Sequence, residues 1–199
     1  MKKVSVFGVF AIVFLALTQC EKDAYVSPLG KDSPGPMPYY VKVPQGFPDY
    51  FLEQQNALTN EGVELGKKLF FDPLLSKNRD VSCASCHLQS SSFSDSRALS
   101  IGTNGTTTTF HSMPIFNIAW MNEFFWDGRA KSREDQALQP VNNPLEMDLG
   151  WIEAVKRLST DSEYPRMFKA AFGTSVIDSN LAAQAMVQYE MTLVSSETK

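Results

Sequence analysis

Residues 81–89 read VSCASCHLQ. Cys83, Cys86 and His87 form the pattern Cys-x-x-Cys-His, and the rest of the chain holds one more cysteine, Cys20, and one more histidine, His111. The spacing puts both sulfurs on one side of a helical turn, with an imidazole next in line. Three chemistries compete for such a cluster. A zinc ribbon requires a second cysteine pair, which the chain lacks. A thioredoxin-type dithiol belongs in a βαβ setting, and no alternating strand pattern is present. Covalent attachment of haem c needs only these three residues. The thiols add across the porphyrin vinyl groups, and His87 reaches the iron. One covalent haem c is the expectation.

The chain's beginning agrees with that chemistry. Lys2 and Lys3 precede an apolar run from Val4 to Leu17, a basic and then hydrophobic pattern that reads as an export signal over residues 1–20. The run is too short and too poorly flanked for a membrane span. It closes on LALTQC, which resembles a lipobox ending at Cys20, although Gln19 departs from the small residue usual there. The expectation is a periplasmic or cell-envelope protein, lipid-anchored at Cys20 and touching membrane only through that anchor. In an oxidising compartment Cys83 and Cys86 would tend toward a disulfide, and haem attachment consumes both thiols instead.

Residues 21–50 hold six of the 11 prolines. Proline fixes φ and removes donors, so this stretch reads as an extended tether. Its last part, VPQGFPDYF, carries enough aromatic residues to dock on the domain. The folded domain is expected over residues 51–199. Acidic residues outnumber scattered basic ones, 22 against 18, which argues against nucleic acid.

The helical signals are local. Thr59 and Asn60 cap a segment with Leu65 and Leu69 one turn apart, and Asp72-Pro73 stops it. Residues 88–112 are rich in Ser, Thr and Gly and read as a long loop. Short helical pieces follow at 115–121 and 132–139. A helix over 148–159 is expected to bury Ile152, Val155 and Leu158. Another, over 162–172, carries Tyr164, Met167, Phe168, Ala171 and Phe172 on one face and ends at Gly173. The last, over 178–194, turns Leu181, Ala182, Ala185, Met186, Tyr189 and Leu193 inward. The fold class is all-α, a cytochrome c-like haem domain with long loops.

His87 leaves the sixth iron position undecided. His111 and Met113, Met121, Met147, Met167, Met186 and Met191 are the candidates. A peroxidase needs that position open, and a base nearby to move a proton as the O–O bond breaks. An electron-transfer cytochrome closes it with Met or His.

The stretches LGKKLFFDPLLS, VSCASCH, SIG, FFWDGRAKSREDQAL, NPLEM and TLVSS, in this order and spacing, resemble the N-terminal half of the bacterial di-haem cytochrome c peroxidases and the related methylamine-utilisation enzymes. The resemblance covers about residues 60–196. It implies a peroxidatic haem on Cys83, Cys86 and His87. It implies that Trp126 is an electron bridge and that Gln136 and Glu146 are the distal polar pair, with Glu146 the proton shuttle and Met147 lining the pocket. Arg129 would face a haem propionate, or else pair with Asp127. Hydrogen peroxide is the implied substrate, and a cytochrome c or cupredoxin the implied electron donor. Taken alone, Glu146 would be an ordinary turn residue, Trp126 an ordinary core residue, and Gln136 uninformative.

Two departures stand out. Many members carry a distal histidine directly after the S-[VI]-G stretch, where this chain has Thr103, so an iron open without reductive activation is expected. His111, eight residues later, could swing in as a replacement distal ligand. Counting back from Asn117, it also falls where members place an asparagine of an interdomain calcium site. The family's second Cys-x-x-Cys-His is missing, so the chain reads as a truncated copy. An apolar face around Trp126 is then expected, with dimerisation as one outcome. The alternative reading is a mono-haem electron-transfer cytochrome c without peroxidase turnover.

Overall fold

The computed structural model describes residues 35–49 and 56–196. The export signal and Cys20 lie outside the described residues. Six α-helices are described: α1 Asn60–Phe71, α2 Cys83–Cys86, α3 Arg133–Asn142, α4 Trp151–Thr160, α5 Tyr164–Phe172 and α6 Ser179–Glu190. Single 3₁₀ turns occur at Pro73–Leu75, Gln89–Ser91 and Ile118–Trp120. Among the described residues there are isolated bridges but no strands, so the all-α expectation holds.

α1 starts where the Thr59 hydroxyl accepts the Gly62 amide at 3.0 Å. That satisfies one of the amides a helix start leaves unpaired. It stops at Asp72, whose carboxylate turns to accept the Leu74 amide beyond Pro73. α6 lies along α1 and is buried nearly all round, from Ala182 to Glu190 apart from half-buried Gln184. Leu65, Leu69 and Phe70 are wholly buried in this contact, and the Phe70 ring sits 5.2 Å from that of Tyr189. Each such side chain contributes about 1.5–3 kcal/mol of transfer free energy. α5 closes the scaffold through Tyr164, whose hydroxyl donates to Asp72 at 2.7 Å. α5 ends on Gly173 at φ +75°, the left-handed stop that glycine adopts without strain.

Two expectations need correction. Leu158 is buried and Val155 half-buried as expected, but Ile152 is 93% exposed, so α4 does not bury the whole face expected for it. Its inward residues are Ala154 and Leu158. The helix is turned by Arg157, whose guanidinium donates to the Leu74 and Ser76 carbonyls. A polar anchor, not the apolar count, sets its rotation. The Pro-rich stretch is also docked on the domain between Met37 and Pro48, where an extended tether was expected. Tyr39 donates its amide to Leu58, Asn60 donates to Met37, and the Trp120 indole donates to the Pro48 carbonyl at 2.8 Å. Phe47 packs edge-on against Trp120. Docking by the aromatic end was expected; the attachment begins earlier, at Met37.

Candidate active site

α2 is a single turn. The Ser82 amide donates to the Ser85 hydroxyl at 3.0 Å, and the His87 amide closes the turn on the Cys83 carbonyl. The chain approaches this turn tied to buried Ser76, whose hydroxyl accepts the Asp80 and Val81 amides. Both thiols are free and half-buried. The His87 Nδ1 lies 2.9 Å from the Phe93 carbonyl. A carbonyl only accepts, so the ring proton sits on Nδ1 and Nε2 keeps its lone pair. Burial pushes the imidazole pKa down, against the opposing pull of the Phe93 and Met113 carbonyls and of Asp95. The neutral, ligating form is thereby favoured.

These residues line a cavity of about 220 Å³. Its other walls bring together residues far apart in sequence. α3 supplies Gln136, and the turn after it supplies Glu146 and Met147. The 121–130 loop supplies Phe124, Phe125, Trp126 and Arg129. His111 reaches the same wall. The haem-attachment, distal and bridging residues singled out from sequence therefore lie on one cavity, whereas Met167 and Met191, named as sixth-ligand candidates, do not line it. The set fits a haem c: two thiols one turn apart, an imidazole with a free lone pair, and apolar walls.

Glu146 is set by its turn. Asn143, at the end of α3, accepts the Leu145 amide with its Oδ1 and donates its Nδ2 to Glu146 Oε1 at 2.6 Å. Burial raises the Glu146 pKa, and the Asn143 hydrogen bond and the Arg129 charge oppose the rise. The loop residue Gly102 lies so close to the Leu145 and Glu146 carbonyls that no side chain fits there. Beside it the Thr103 amide donates to the Glu146 carbonyl at 2.8 Å, while the Thr103 hydroxyl turns away to Asp80 at 2.5 Å. Arg129 makes the local ion pair considered for it. It pairs with Asp127 at 2.9 Å, stacks 3.5 Å over the Phe125 ring, and still lines the cavity. Trp126 is not core: it is 58% exposed at the cavity's edge, its indole donating to the His111 carbonyl at 2.8 Å. Phe110 beside it is also exposed.

His111 is engaged elsewhere. Its Nε2 lies 2.8 Å from the Ser94 hydroxyl, and its Nδ1 faces the Arg97 and Ala98 carbonyls. It clasps a loop that a buried polar network holds in place. Asp95 accepts from Arg97 and Ser100 at 2.7 Å, and Ser100 pairs with Ser112. As for calcium, no cluster of three or more His, Cys, Asp or Glu residues is poised for a metal among the described residues. Asn143, Gly102 and Glu190 were missed from sequence. A signal for Glu190 existed, since it follows the inward Met186 by four positions on the same helical face.

The di-haem cytochrome c peroxidase family model matches residues 60–199. The chain belongs to that family. It is 41% identical over 143 residues to the methylamine utilization protein MauG of Methylorubrum extorquens, covering 71% of this chain and 40% of that protein. It is 36% identical over 166 residues to the cytochrome c551 peroxidase of Pseudomonas aeruginosa, covering 82% and 45%. A solved MauG-like protein associated with microbial copper homeostasis superposes at a TM-score of 0.73 with 30% identity, over 79% of this chain and 47% of that one. The chain thus spans less than half the length of these relatives. The family's description names two haems, and this chain carries one attachment motif.

Proposed function

We propose that this chain forms the peroxide-reducing haem site of a cytochrome c peroxidase. The observation that carries the reading is the convergence of Cys83, Cys86, His87, Gln136, Glu146 and Trp126 on one cavity wall. Cys83 and Cys86 would hold the haem through thioether bonds, and His87 would ligate its iron through Nε2. When bound, the haem supplies the redox chemistry that splits the O–O bond of hydrogen peroxide, which overall takes two electrons and two protons to give two waters.

The protein's own contribution is proton handling and access. Glu146, its pKa raised by burial, accepts a proton from one peroxide oxygen and returns it to the other. Asn143 fixes the carboxylate for that exchange. The half-buried Gln136 amide has no hydrogen-bond partner among the described residues and is available to orient peroxide. Thr103 offers the cavity no side-chain ligand, since its hydroxyl is bound to Asp80. His111 is spent on the loop clasp, and the reading leaves it out of iron ligation. Trp126 places its indole where a small redox protein could deliver electrons. Export over residues 1–20 and lipid attachment at Cys20 belong to the same proposal, because haem c on an anchored, Pro-rich stalk suits the cell envelope. Among the described residues no helix is long and apolar enough to cross a membrane.

The test is rapid mixing of the purified ferric holoprotein with hydrogen peroxide. A high-valent or radical signal is expected, and Glu146→Gln should slow its formation about 10²–10⁴-fold. An unchanged rate in Glu146→Gln overturns the proton assignment. A low-spin spectrum indifferent to cyanide and peroxide overturns the peroxidase reading in favour of electron transfer alone.

A further inference from the structure

The peroxide chemistry uses one carboxyl, and the cavity has a second. Glu190, the last residue of α6, is 7% exposed and lines the cavity wall. It sits one turn beyond Met186 and two beyond Ala183, both buried, so the helix register points it inward. Its carboxylate has no hydrogen-bond or ion-pair partner among the described residues. Since no fully enclosed side-chain polar atom there lacks a partner, the Glu190 oxygens still meet open space. The space beside them is the cavity. Glu146 differs, because Asn143 and Arg129 both moderate its charge.

An unpaired buried carboxylate costs several kcal/mol, so such a group keeps its proton instead. Burial, with the Glu134 charge adding to it, pushes the Glu190 pKa up to about 8. A neutral carboxyl is then an O–H donor with no acceptor among the described residues. The surrounding groups leave it so. Cys83 on α2 is close enough for the charge of Glu190 to raise its pKa. Glu146, on the turn after α3, lines the same cavity. Arg133 on α3 is committed to the Ile118 and Ala119 carbonyls. Glu134, also on α3, is half-buried, accepts from Asn56 at 2.8 Å, and is near enough for its charge to act on Glu190. The groups acting on the iron ligand His87 are Phe93, Met113 and Asp95, and Glu190 is not among them.

We propose that Glu190 is a proton-exchanging group of the haem cavity that binds one proton when the haem gains an electron and releases it when the electron leaves. The proposal rests on the haem reading. In balanced form, with a haem held by Cys83, Cys86 and His87, one electron from a small redox donor would reduce the iron from ferric to ferrous and one proton from solvent would convert the Glu190 carboxylate to the carboxylic acid. The bond formed is the O–H of the carboxyl. The driving force is electrostatic: the extra positive charge of ferric iron favours the carboxylate, and its loss favours the acid. A cavity whose reaction consumes protons would thereby receive one with each electron.

Dye-mediated reduction titrations of the exported holoprotein across neutral and mildly alkaline pH test this. Each tenfold fall in proton concentration should lower the wild-type midpoint by about 59 mV within the coupled window. Glu190→Gln should be flat there. Glu134→Gln should keep the slope and move its window to lower pH, because a neighbouring negative charge is gone. Redox-difference infrared spectra should show a protonated-carboxyl band in wild type that Glu190→Gln lacks. If Glu190→Gln fails to load haem, Glu190→Asp serves, and it should displace the window. A wild-type slope of zero, or the same slope and window in the Glu190 variant, overturns the proposal. A pigmented band on a denaturing gel separates the two readings. Wild type without covalent pigment overturns both, and pigment with an unaltered slope overturns only this one.

Discussion

Gly66 and Gly102 make the same geometric concession at two different walls of the molecule. At each, a backbone carbonyl stands where a side chain's first carbon would be, that of Ala185 at Gly66 and that of Leu145 at Gly102. Neither needs a left-handed backbone; both need the absence of Cβ. Gly66 brings α1 against α6 in a dry contact of Leu65, Leu69, Phe70 and Tyr189. Gly102 seats a Ser- and Thr-rich loop on the turn that carries Glu146. The first wall is held by buried apolar area and the second by a handful of hydrogen bonds. The comparison teaches that this domain separates what keeps it folded from what positions its chemistry.

That separation can be broken, and the largest effect is expected at the scaffold. Gly66→Ala forces a methyl into the Ala185 carbonyl, so α1 and α6 must part. Overpacking of this kind costs about 3 kcal/mol or more when backbone, not a flexible side chain, is in the way. The urea midpoint of the holoprotein should fall steeply. A shift indistinguishable from wild type would mean the two helices slide easily and the scaffold is not rigid.

Gly102→Ala should behave differently. The loop has few apolar contacts to lose, so we expect a stability loss of about 1–2 kcal/mol. The larger consequence falls on Glu146, displaced with its turn. Peroxide reactivity should drop at least tenfold, since about 1 Å of misplacement is enough to cost that much. Equal losses of stability in the two glycine variants, with reactivity intact in Gly102→Ala, would erase the distinction.

The loop also carries a pH signature on the acid side. Asp95 is buried, and the Arg97 hydrogen bonds hold its pKa well below the usual carboxylate range. A depressed folded pKa contributes stability that is complete above the unfolded value, about 4, and drains away as pH falls toward the folded one. Arg97 is 44% exposed, so the pair's contribution is discounted to about 1–2 kcal/mol. Asp95→Asn should lower stability at neutral pH and flatten the acid limb of the stability curve. An acid limb identical to wild type would place the loss elsewhere.

How much of this was legible depends on whether the determining residues are neighbours in sequence. Cys83, Cys86 and His87 announce themselves because one helical turn gathers them. α1 and α5 are legible because apolar period and capping residues agree, Thr59 at one start and Gly173 at the other stop. Gln136, Glu146 and Trp126 were reachable only through resemblance, since each alone fits a blander role. Asn143 acts through a turn whose geometry its sequence does not specify. Glu190 was hidden by its charge, which reads as solvent-facing although it shares a helical face with the inward Met186. α4 was misread because the hydrogen bonds of Arg157 to distant carbonyls outweigh an apolar pattern of only three residues.

That misreading gives the smallest prediction and the sharpest check on α4. If Ile152 were a core residue, Ile152→Thr would cost about 2 kcal/mol or more. At 93% exposed it has almost no apolar contact to lose, and the expected change is within about 0.5 kcal/mol. Arg157→Leu should cost more, because the Leu74 and Ser76 carbonyls then lose a charged donor, a loss of about 1–3 kcal/mol. The substitution adds apolar surface, so a count of hydrophobic positions predicts the opposite sign. Comparing the two variants by urea unfolding decides which force fixes the helix. If Ile152→Thr proves the more damaging, α4 is turned toward its apolar stripe in solution, and the polar anchoring assigned to Arg157 is wrong.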